Sequence, residues 1–183
     1  MKNALLLHGT AGSSQSNWIP WLSSQLKEKG WEVWSPDLPH SERPNLTRYN
    51  KFLLANKDWQ FNAETVLVGH SSGAVAILGL LQALPDDVVI DKAILVSGFL
   101  DDLGWDSLTE LFEKPFDFAK IKKKAKQFII IHSDNDPYVP IENATMLAEK
   151  LDGQLIIKEG QGHFNLEVGA KYKEFPLLLQ LIR

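Results

Sequence analysis

Short runs of apolar residues alternate with longer stretches of mixed character along the whole chain. Each run is four or five residues long and rich in Leu, Val and Ile. Such continuous runs are typical of strands that are buried on both faces of a parallel sheet. The predicted strands are Ala4–Leu7, Trp31–Trp34, Thr65–Val68, Lys92–Val96, Phe128–His132 and Gln154–Ile157.

The stretches between these runs carry apolar residues at helical spacing. In the first of them, Trp18, Leu22 and Leu26 share one face, and Gly30 marks the end of the helix. A later stretch is almost entirely apolar, so we expect its helix to be buried. The predicted helices are Asn17–Lys29, Thr47–Ala55, Ser72–Leu84, Asp106–Phe112, Phe118–Lys124, Ile141–Leu151 and Phe175–Leu181.

This alternation of strands and helices predicts an α/β fold of three layers, with a mostly parallel central sheet and helices on both of its faces. The segments between the predicted elements are short, so we expect little or no cap domain. No internal repeat, low-complexity tract or linker interrupts the pattern. The sequence therefore predicts one domain over residues 1–183.

The composition excludes several classes of function. The absence of cysteine excludes disulfides, thiolate metal sites and a cysteine nucleophile. His, Asp and Glu show no metal-ligand spacing, and the glycine-rich nucleotide motifs are missing, so we expect neither a metal nor a cofactor. The formal net charge of -4 argues against a nucleic-acid partner. A run of lysines, 122–124 and 126, is interpreted as a solvated turn before a strand.

Neither a membrane span nor a secretory signal is evident. The longest uncharged run in the middle of the chain, Thr65–Pro85, is broken by the polar segment Gly69–Gly73, and what remains is too short to cross a bilayer. The first residues contain only a brief apolar stretch and no small-residue cleavage site. We therefore expect no membrane partner and a cytoplasmic location.

Gly69–Gly73 fits the pattern G-x-S-x-G and lies between a predicted strand and a predicted helix. A tight turn of this kind exposes the serine at its tip, and the helix start directs backbone N–H groups at a developing oxyanion. Ser71 is the predicted nucleophile. Ser72 is the other candidate, but as the first helical residue it would point away from the tip.

A serine needs a base to take its proton. In a strand–turn–helix hydrolase the nucleophile is followed along the chain by an acid and then by a histidine. Of the five histidines, that order leaves His132 and His163. His163 is favoured because it lies in a glycine-flanked loop after the last predicted strand. His132 ends a strand and stays an alternative.

The acid should follow the strand Phe128–His132. The loop there contains two carboxylates, Asp134 and Asp136, and Asp134 is better interpreted as a residue that shapes the loop through backbone bonds. For the oxyanion, one donor should be the N–H of Ser72. The second should come from the loop after the first strand, at Thr10, with Ala11 as the alternative.

At these residues the chain resembles the α/β-hydrolase superfamily and, within it, the small family of retinoblastoma-binding-protein-like (YdeN-like) serine hydrolases. The acid of the superfamily's Asp-x-x-Val-Pro segment falls on Asp136, and the His of its Gly-His-Phe segment falls on His163. One departure is Tyr49, where the family often has tryptophan. The matching segments are Leu6-Leu7-His8-Gly9, Asn17-Trp18, Pro20-Trp21-Leu22, Pro36-Asp37-Leu38-Pro39, Gly69–Gly73, Pro115–Phe118, Asp136–Pro140 and Gly162–Phe164.

The resemblance implies a compact serine esterase without a large lid. We expect hydrolysis of small carboxylic esters through an acyl-enzyme on Ser71, with thioesters and amides as further candidates. By position, the pocket walls would be Thr10, Phe99, Trp105, Tyr138 and Phe164. The alternative is a protein-binding module with vestigial catalysis. The intact set of serine, acid and histidine favours the enzyme, and the expected partner is a small-molecule ester.

Overall fold

Six strands form the centre of the molecule in this computed structural model, which describes residues 1–182. They are β1 (Asn3–Leu7), β2 (Glu32–Trp34), β3 (Thr65–His70), β4 (Ile90–Val96), β5 (Ala125–Ser133) and β6 (Gln154–Lys158). All pair in parallel in one sheet, in the order β2-β1-β3-β4-β5-β6. Parallel pairing needs crossover connections, and the helices supply them.

Six α-helices connect or follow the strands: α1 (Ile19–Glu28), α2 (Leu46–Ala55), α3 (Ser72–Ala83), α4 (Phe118–Ile121), α5 (Ile141–Leu151) and α6 (Pro176–Ile182). Three further turns are 3₁₀-helical, Asp106–Leu111, Lys122–Lys124 and Ala170–Lys173. Helix α3 is buried over nearly its whole length, which explains its almost uninterrupted apolar sequence.

Both faces of the sheet are covered, because successive residues of a strand point to opposite faces. In β1, Leu5 and Leu7 pack into a core shared with α2, α3 and α5. Ala4 and Leu6 face the other way, into a core shared with α1 and α6. This gives the three layers that the sequence predicts, and it confirms a parallel sheet with helices on both faces.

The predicted strands and helices are present, although several of them begin or end up to three residues from the predicted bounds. Helix α1 begins at Ile19 rather than Asn17, and residues 106–111 form a 3₁₀-helix. Residues 118–124, predicted as one helix, divide into α4 and a 3₁₀ turn. The prediction that the lysine run is a solvated turn is wrong at Lys124, which is buried. Its ammonium group donates to the Pro85 carbonyl and lies beside Asp86.

The carboxyl ends of the strands lie along one edge of the sheet, as parallel pairing requires. Ser71 follows β3, Asp136 lies beyond β5, and His163 lies beyond β6. The loop after β1 reaches the same edge. Residues that are far apart in sequence therefore meet in the crevice where ligands bind in open α/β sheets.

Candidate active site

Ser71 occupies a sharp turn between β3 and α3. Its backbone has φ 57° and ψ −124°, a conformation that side-chain-bearing residues rarely adopt. The Ser71 N–H donates to the Val96 carbonyl over 2.8 Å, which ties the turn to β4. A Cβ on Gly69 would lie 2.5 Å from the Gly73 carbonyl oxygen, and a Cβ on Gly73 would overlap the Leu7 carbonyl group at the end of β1, so the turn needs glycine on both sides of the serine.

The loop after β1 approaches this turn closely. A Cβ on Gly9 would lie 3.0 Å from the Cβ of Ser71, so any larger residue there would require the serine turn to shift. Thr10 follows, and its hydroxyl donates to the Ser72 hydroxyl over 2.9 Å. The Ala11 N–H already donates to the Ser41 carbonyl over 2.8 Å. That bond disfavours Ala11 as the second oxyanion donor and favours Thr10.

Asp136 and His163 form a direct pair. The Nδ1 of His163 lies 2.8 Å from Oδ2 and 3.0 Å from Oδ1 of the Asp136 carboxylate, so Nδ1–H is the donor. The other ring nitrogen, Nε2, is left to accept a proton, which is the tautomer that a general base needs. The side chain of Asp136 is fully buried and that of His163 is 8% exposed.

The buried carboxylate of Asp136 receives further hydrogen bonds. Its Oδ1 accepts from the N–H groups of Tyr138, at 3.0 Å, and Val139, at 3.1 Å. The Ser97 hydroxyl donates to Oδ2 over 2.8 Å. Burial alone would raise the pKa of Asp136, but the bonds from His163 and from the two backbone groups outweigh it and lower the pKa. The carboxylate is therefore held ionised.

The two alternatives from the sequence occupy other positions. Asp134 accepts from the N–H of Gly160 over 2.7 Å and so links two loops, the role expected of a loop-shaping residue. His132 is fully buried, and its Nε2 donates to the Val139 carbonyl over 3.0 Å. Burial lowers the pKa of His132, and its ring does not line the cavity that contains Ser71.

A cavity of about 480 Å³ opens beside these groups and is lined by both Ser71 and His163. Three of the predicted wall residues, Phe99, Trp105 and Tyr138, line it, as does Thr10. Trp105 and Tyr138 meet edge to face with ring centroids 6.0 Å apart. The other lining residues are Gly9, Ala11, Gly12, Ser16, Asn17, His70, Leu103, Leu108, Val139, Asn165, Leu166 and Glu167.

Phe164 does not line the cavity, although the sequence places it there. Its side chain is fully buried and stacks on Phe175 with ring centroids 5.2 Å apart. The physical reason is the backbone: Phe164 has φ 53°, a left-handed turn that directs its side chain into the core below α1 and α6 while His163 faces the cavity.

Two residues of the site carried no signal in the sequence. Ser97 directly follows β4 and reaches Asp136 only because β4 and β5 are neighbours. Glu167 accepts from the Tyr138 hydroxyl over 2.5 Å and from the Asn165 amide over 3.1 Å. These two bonds lower the pKa of Glu167, so a carboxylate stands at the cavity wall.

Left-handed backbone is concentrated around the cavity. Ser97, which bonds to Asp136, and Phe164, which follows His163, have this conformation, and four more such residues line the cavity itself. Each costs on the order of 1 kcal/mol or more and persists only where the surrounding structure enforces it. The non-glycine residues with positive φ in the described chain are Ala11, Asn17, His40, Ser71, Ser97, Leu103, Asp152 and Phe164.

Within residues 1–182, no group of three or more His, Cys, Asp or Glu side chains is arranged to hold a metal ion. No helix in the same range is long and apolar enough to cross a membrane.

Comparison with known proteins gives a consistent picture. A family model described as serine hydrolase matches residues 4–183. YdeN of Bacillus subtilis (strain 168) is 30% identical over 182 residues, which cover 99% of this chain and 94% of that protein. Serine hydrolase RBBP9 of Rattus norvegicus is 25% identical over 186 residues, 98% of this chain and 93% of that protein.

Solved structures agree at the level of the backbone. The crystal structure of the ydeN gene product from B. subtilis matches with a TM-score of 0.92 at 30% identity, over 100% of this chain and 97% of that one. Est1E from Butyrivibrio proteoclasticus matches with a TM-score of 0.73 at 19% identity, over 99% and 85% of the two chains. At that identity the likeness concerns the fold alone.

Proposed function

Since this chain belongs to the serine hydrolase family and is a hydrolase enzyme, we propose that it cleaves small carboxylic esters through an acyl-enzyme on Ser71. His163 is the general base and Asp136 orients it. The N–H groups of Ser72 and Thr10 form the oxyanion hole. We further propose that residues 1–183 constitute one hydrolase domain, which the extent of the family match supports.

One observation carries the proposal: a serine on a strained strand-to-helix turn shares a cavity with a histidine whose other nitrogen is bonded to a buried carboxylate. Structural packing alone does not require this combination. Removing a carboxylate from water costs free energy, even when four donors bond to it as they do to Asp136. Such a buried carboxylate is useful where an imidazolium has to be stabilised.

The reaction follows from these roles. The Ser71 oxygen attacks the ester carbonyl carbon while His163 Nε2 takes the hydroxyl proton. The oxyanion that forms is stabilised by the two backbone N–H groups. When it collapses, the C–O bond to the alcohol breaks and the alcohol takes the proton from His163. Water then attacks the acyl-enzyme with His163 again as base, and collapse releases the acid and restores Ser71.

The cavity supports a small, largely uncharged substrate. Its volume of about 480 Å³ lies within the range of small-molecule sites. Phe99, Leu103 and Leu108 supply apolar wall, and Trp105 is half exposed at the cavity. Among the described residues that line it, Glu167 is the one with a permanent charge, and that charge is negative. An anionic ester should therefore be a poorer substrate than a neutral one.

Labelling with a fluorophosphonate tests the proposal. The Ser71 oxygen would displace fluoride from phosphorus, and the intact mass would show one adduct on the wild type. We expect no adduct on Ser71→Ala, slow labelling of His163→Ala, and normal labelling of Ser24→Ala, a matched serine control on the exposed side of α1 and away from the cavity. Absence of an adduct on folded wild-type protein, or its survival in Ser71→Ala, would contradict the proposed mechanism.

A panel of 4-nitrophenyl esters then tests the substrate class. Turnover of acetate and butyrate esters by the wild type, lost in Ser71→Ala, supports a carboxylic esterase. Labelling without turnover of any ester in the panel would favour thioesters, amides or a binding role instead.

A further inference from the structure

The loop that carries His163 has an unusual backbone. The residues on either side of the histidine, Gly162 and Phe164, both adopt left-handed conformations, with φ 55° and 53°. A left-handed phenylalanine is unfavourable by itself, so neighbouring groups must hold the loop in this shape. The contacts that do so decide where the imidazole of His163 points.

Two side chains hold consecutive carbonyl groups of this loop. The Nε2 of His70 lies 2.7 Å from the carbonyl oxygen of His163. The indole N–H of Trp18 donates to the carbonyl oxygen of Phe164 over 3.1 Å. These two carbonyls belong to the peptide planes that meet at Phe164. Fixing both planes fixes the left-handed turn at Phe164 and holds the Cα of His163, which lies in the first of these planes and carries the imidazole side chain.

The two donors are themselves immobilised. Trp18 is fully buried and His70 is 4% exposed, and their rings meet edge to face with centroids 5.8 Å apart. Trp18 also packs edge to face on Phe175, on which Phe164 stacks. The donors and the loop therefore belong to one packed aromatic cluster, which leaves the two carbonyls little freedom to turn away.

His70 is neutral in this position. A carbonyl oxygen only accepts, so His70 Nε2 must carry the proton. Burial, followed by the nearby charge of His163, lowers the pKa of His70 to about 3. The ring therefore acts as a fixed N–H donor over the whole range in which an esterase would work. Its place in the chain is equally specific, since it directly precedes Ser71.

We infer that His70 is a positioning residue for the general base. Its N–H, together with that of Trp18, orients the imidazole of His163 toward Ser71, the residue that follows His70 in the chain. The second residue of the Gly69–Gly73 turn thereby couples the serine turn to the His163 loop across 93 positions of sequence. This inference rests on the proposed function, because it assigns His163 the role of base.

The test compares steady-state ester hydrolysis and fluorophosphonate labelling in matched variants. His70→Met removes the donor at similar length, and His70→Gln keeps an amide N–H close to the position of Nε2. Trp18→Phe removes the indole donor and keeps an aromatic ring. Asn50→Leu is the control, because it deletes a comparable side-chain bond, to the Gly79 carbonyl, away from the cavity.

We expect His70→Met to lower kcat and the labelling rate by about 10- to 100-fold with KM nearly unchanged, since displacing a catalytic group by about 1 Å costs that much. His70→Gln should restore most of the loss, Trp18→Phe should show a smaller fall of the same kind, and Asn50→Leu should behave as wild type. Thermal unfolding of each variant accompanies the kinetics.

Wild-type kcat in folded His70→Met, or a Gln variant as slow as the Met variant, would overturn the inference. If His70→Met does not unfold cooperatively, His70→Asn takes its place, because its amide is too short to reach the carbonyl. Ser71→Ala and His163→Ala are measured in parallel. If Ser71→Ala and His163→Ala still turn over the ester, the proposed function is refuted. If both lose turnover while His70→Met keeps the wild-type rate, only the positioning role is refuted.

Discussion

Lowering the pH should weaken the folded state partly through His70. Its pKa is 6.5 in an unfolded chain and about 3 in the folded protein, where burial and the charge of His163 lower it. Between these values the unfolded chain binds a proton that the native protein does not bind. Stability from this group is therefore complete above the unfolded pKa and is lost progressively as the pH falls from about 6.5 toward about 3.

The magnitude follows from linkage. The slope is about 1.4 kcal/mol for each pH unit well inside this window. Between about pH 7 and about pH 5 the shift contributes a loss of about 2 kcal/mol, because the upper part of the interval lies above the unfolded pKa. A loss of that size is a large fraction of the stability of an ordinary domain.

Urea unfolding of wild type and His70→Gln, followed by tryptophan fluorescence at several pH values, isolates this effect. Burial also lowers the pKa of His8 and His132, but these groups are present in both proteins and cancel in the difference. The stability advantage of wild type over the variant should shrink by about 2 kcal/mol on going from about pH 7 to about pH 5. A difference that stays constant over this range would refute a neutral, buried His70.

Other substitutions probe the rest of the site. Asp136→Asn should lower kcat by about 10⁴-fold, measured with a 4-nitrophenyl ester, because an amide neither stabilises the imidazolium nor favours the right tautomer; a loss below tenfold would exclude Asp136 as the partner. Ser97→Ala should lower kcat by about tenfold, since Asp136 loses one charge-assisted hydrogen bond; an unchanged kcat would contradict that link. Glu167→Gln should raise kcat/KM for a hemisuccinate ester by at most about fivefold at low salt, and the gain should vanish in high salt; a gain that persists in high salt would point to a steric cause. Gly73→Ala should cost more than about 3 kcal/mol of unfolding free energy in urea, because its Cβ would overlap the backbone of β1, whereas Gly104→Ala, whose Cβ meets open space, should cost only about 1 kcal/mol.

The elements were predictable where burial alone decides them. Strands covered on both faces are continuous apolar runs, so each observed strand overlaps its prediction. The start of α1 was missed because Asn17 resembles a helical residue in sequence. In the structure Asn17 is left-handed, and its side chain accepts from the Leu166 N–H over 3.0 Å, a partner 149 positions away. No local pattern reveals such a contact.

The candidate site likewise contains residues that the sequence predicts and residues that only the fold reveals. Ser71, His163 and Asp136 could be predicted as candidates because a strand–turn–helix motif, chain order and family resemblance mark them. Ser97 and His70 act through hydrogen bonds to residues on other strands or loops, so their contacts depend on the order of strands in the sheet. The cytoplasmic location and the identity of the ester stay predictions.

The left-handed residues around the cavity have a consequence for evolution and engineering. Leu103 is only partly buried and holds a conformation that asparagine or glycine adopts more easily, so a screen for thermostable variants should find gains of stability at this residue. At Phe164 the same exchange should destabilise the protein, because the loss of a fully buried aromatic ring costs about 3–5 kcal/mol, more than the relief of the backbone returns. Leu103 also lines the cavity, so selection for heat resistance and selection for turnover should diverge at this residue, and natural relatives adapted to different temperatures should differ here more than in the sheet.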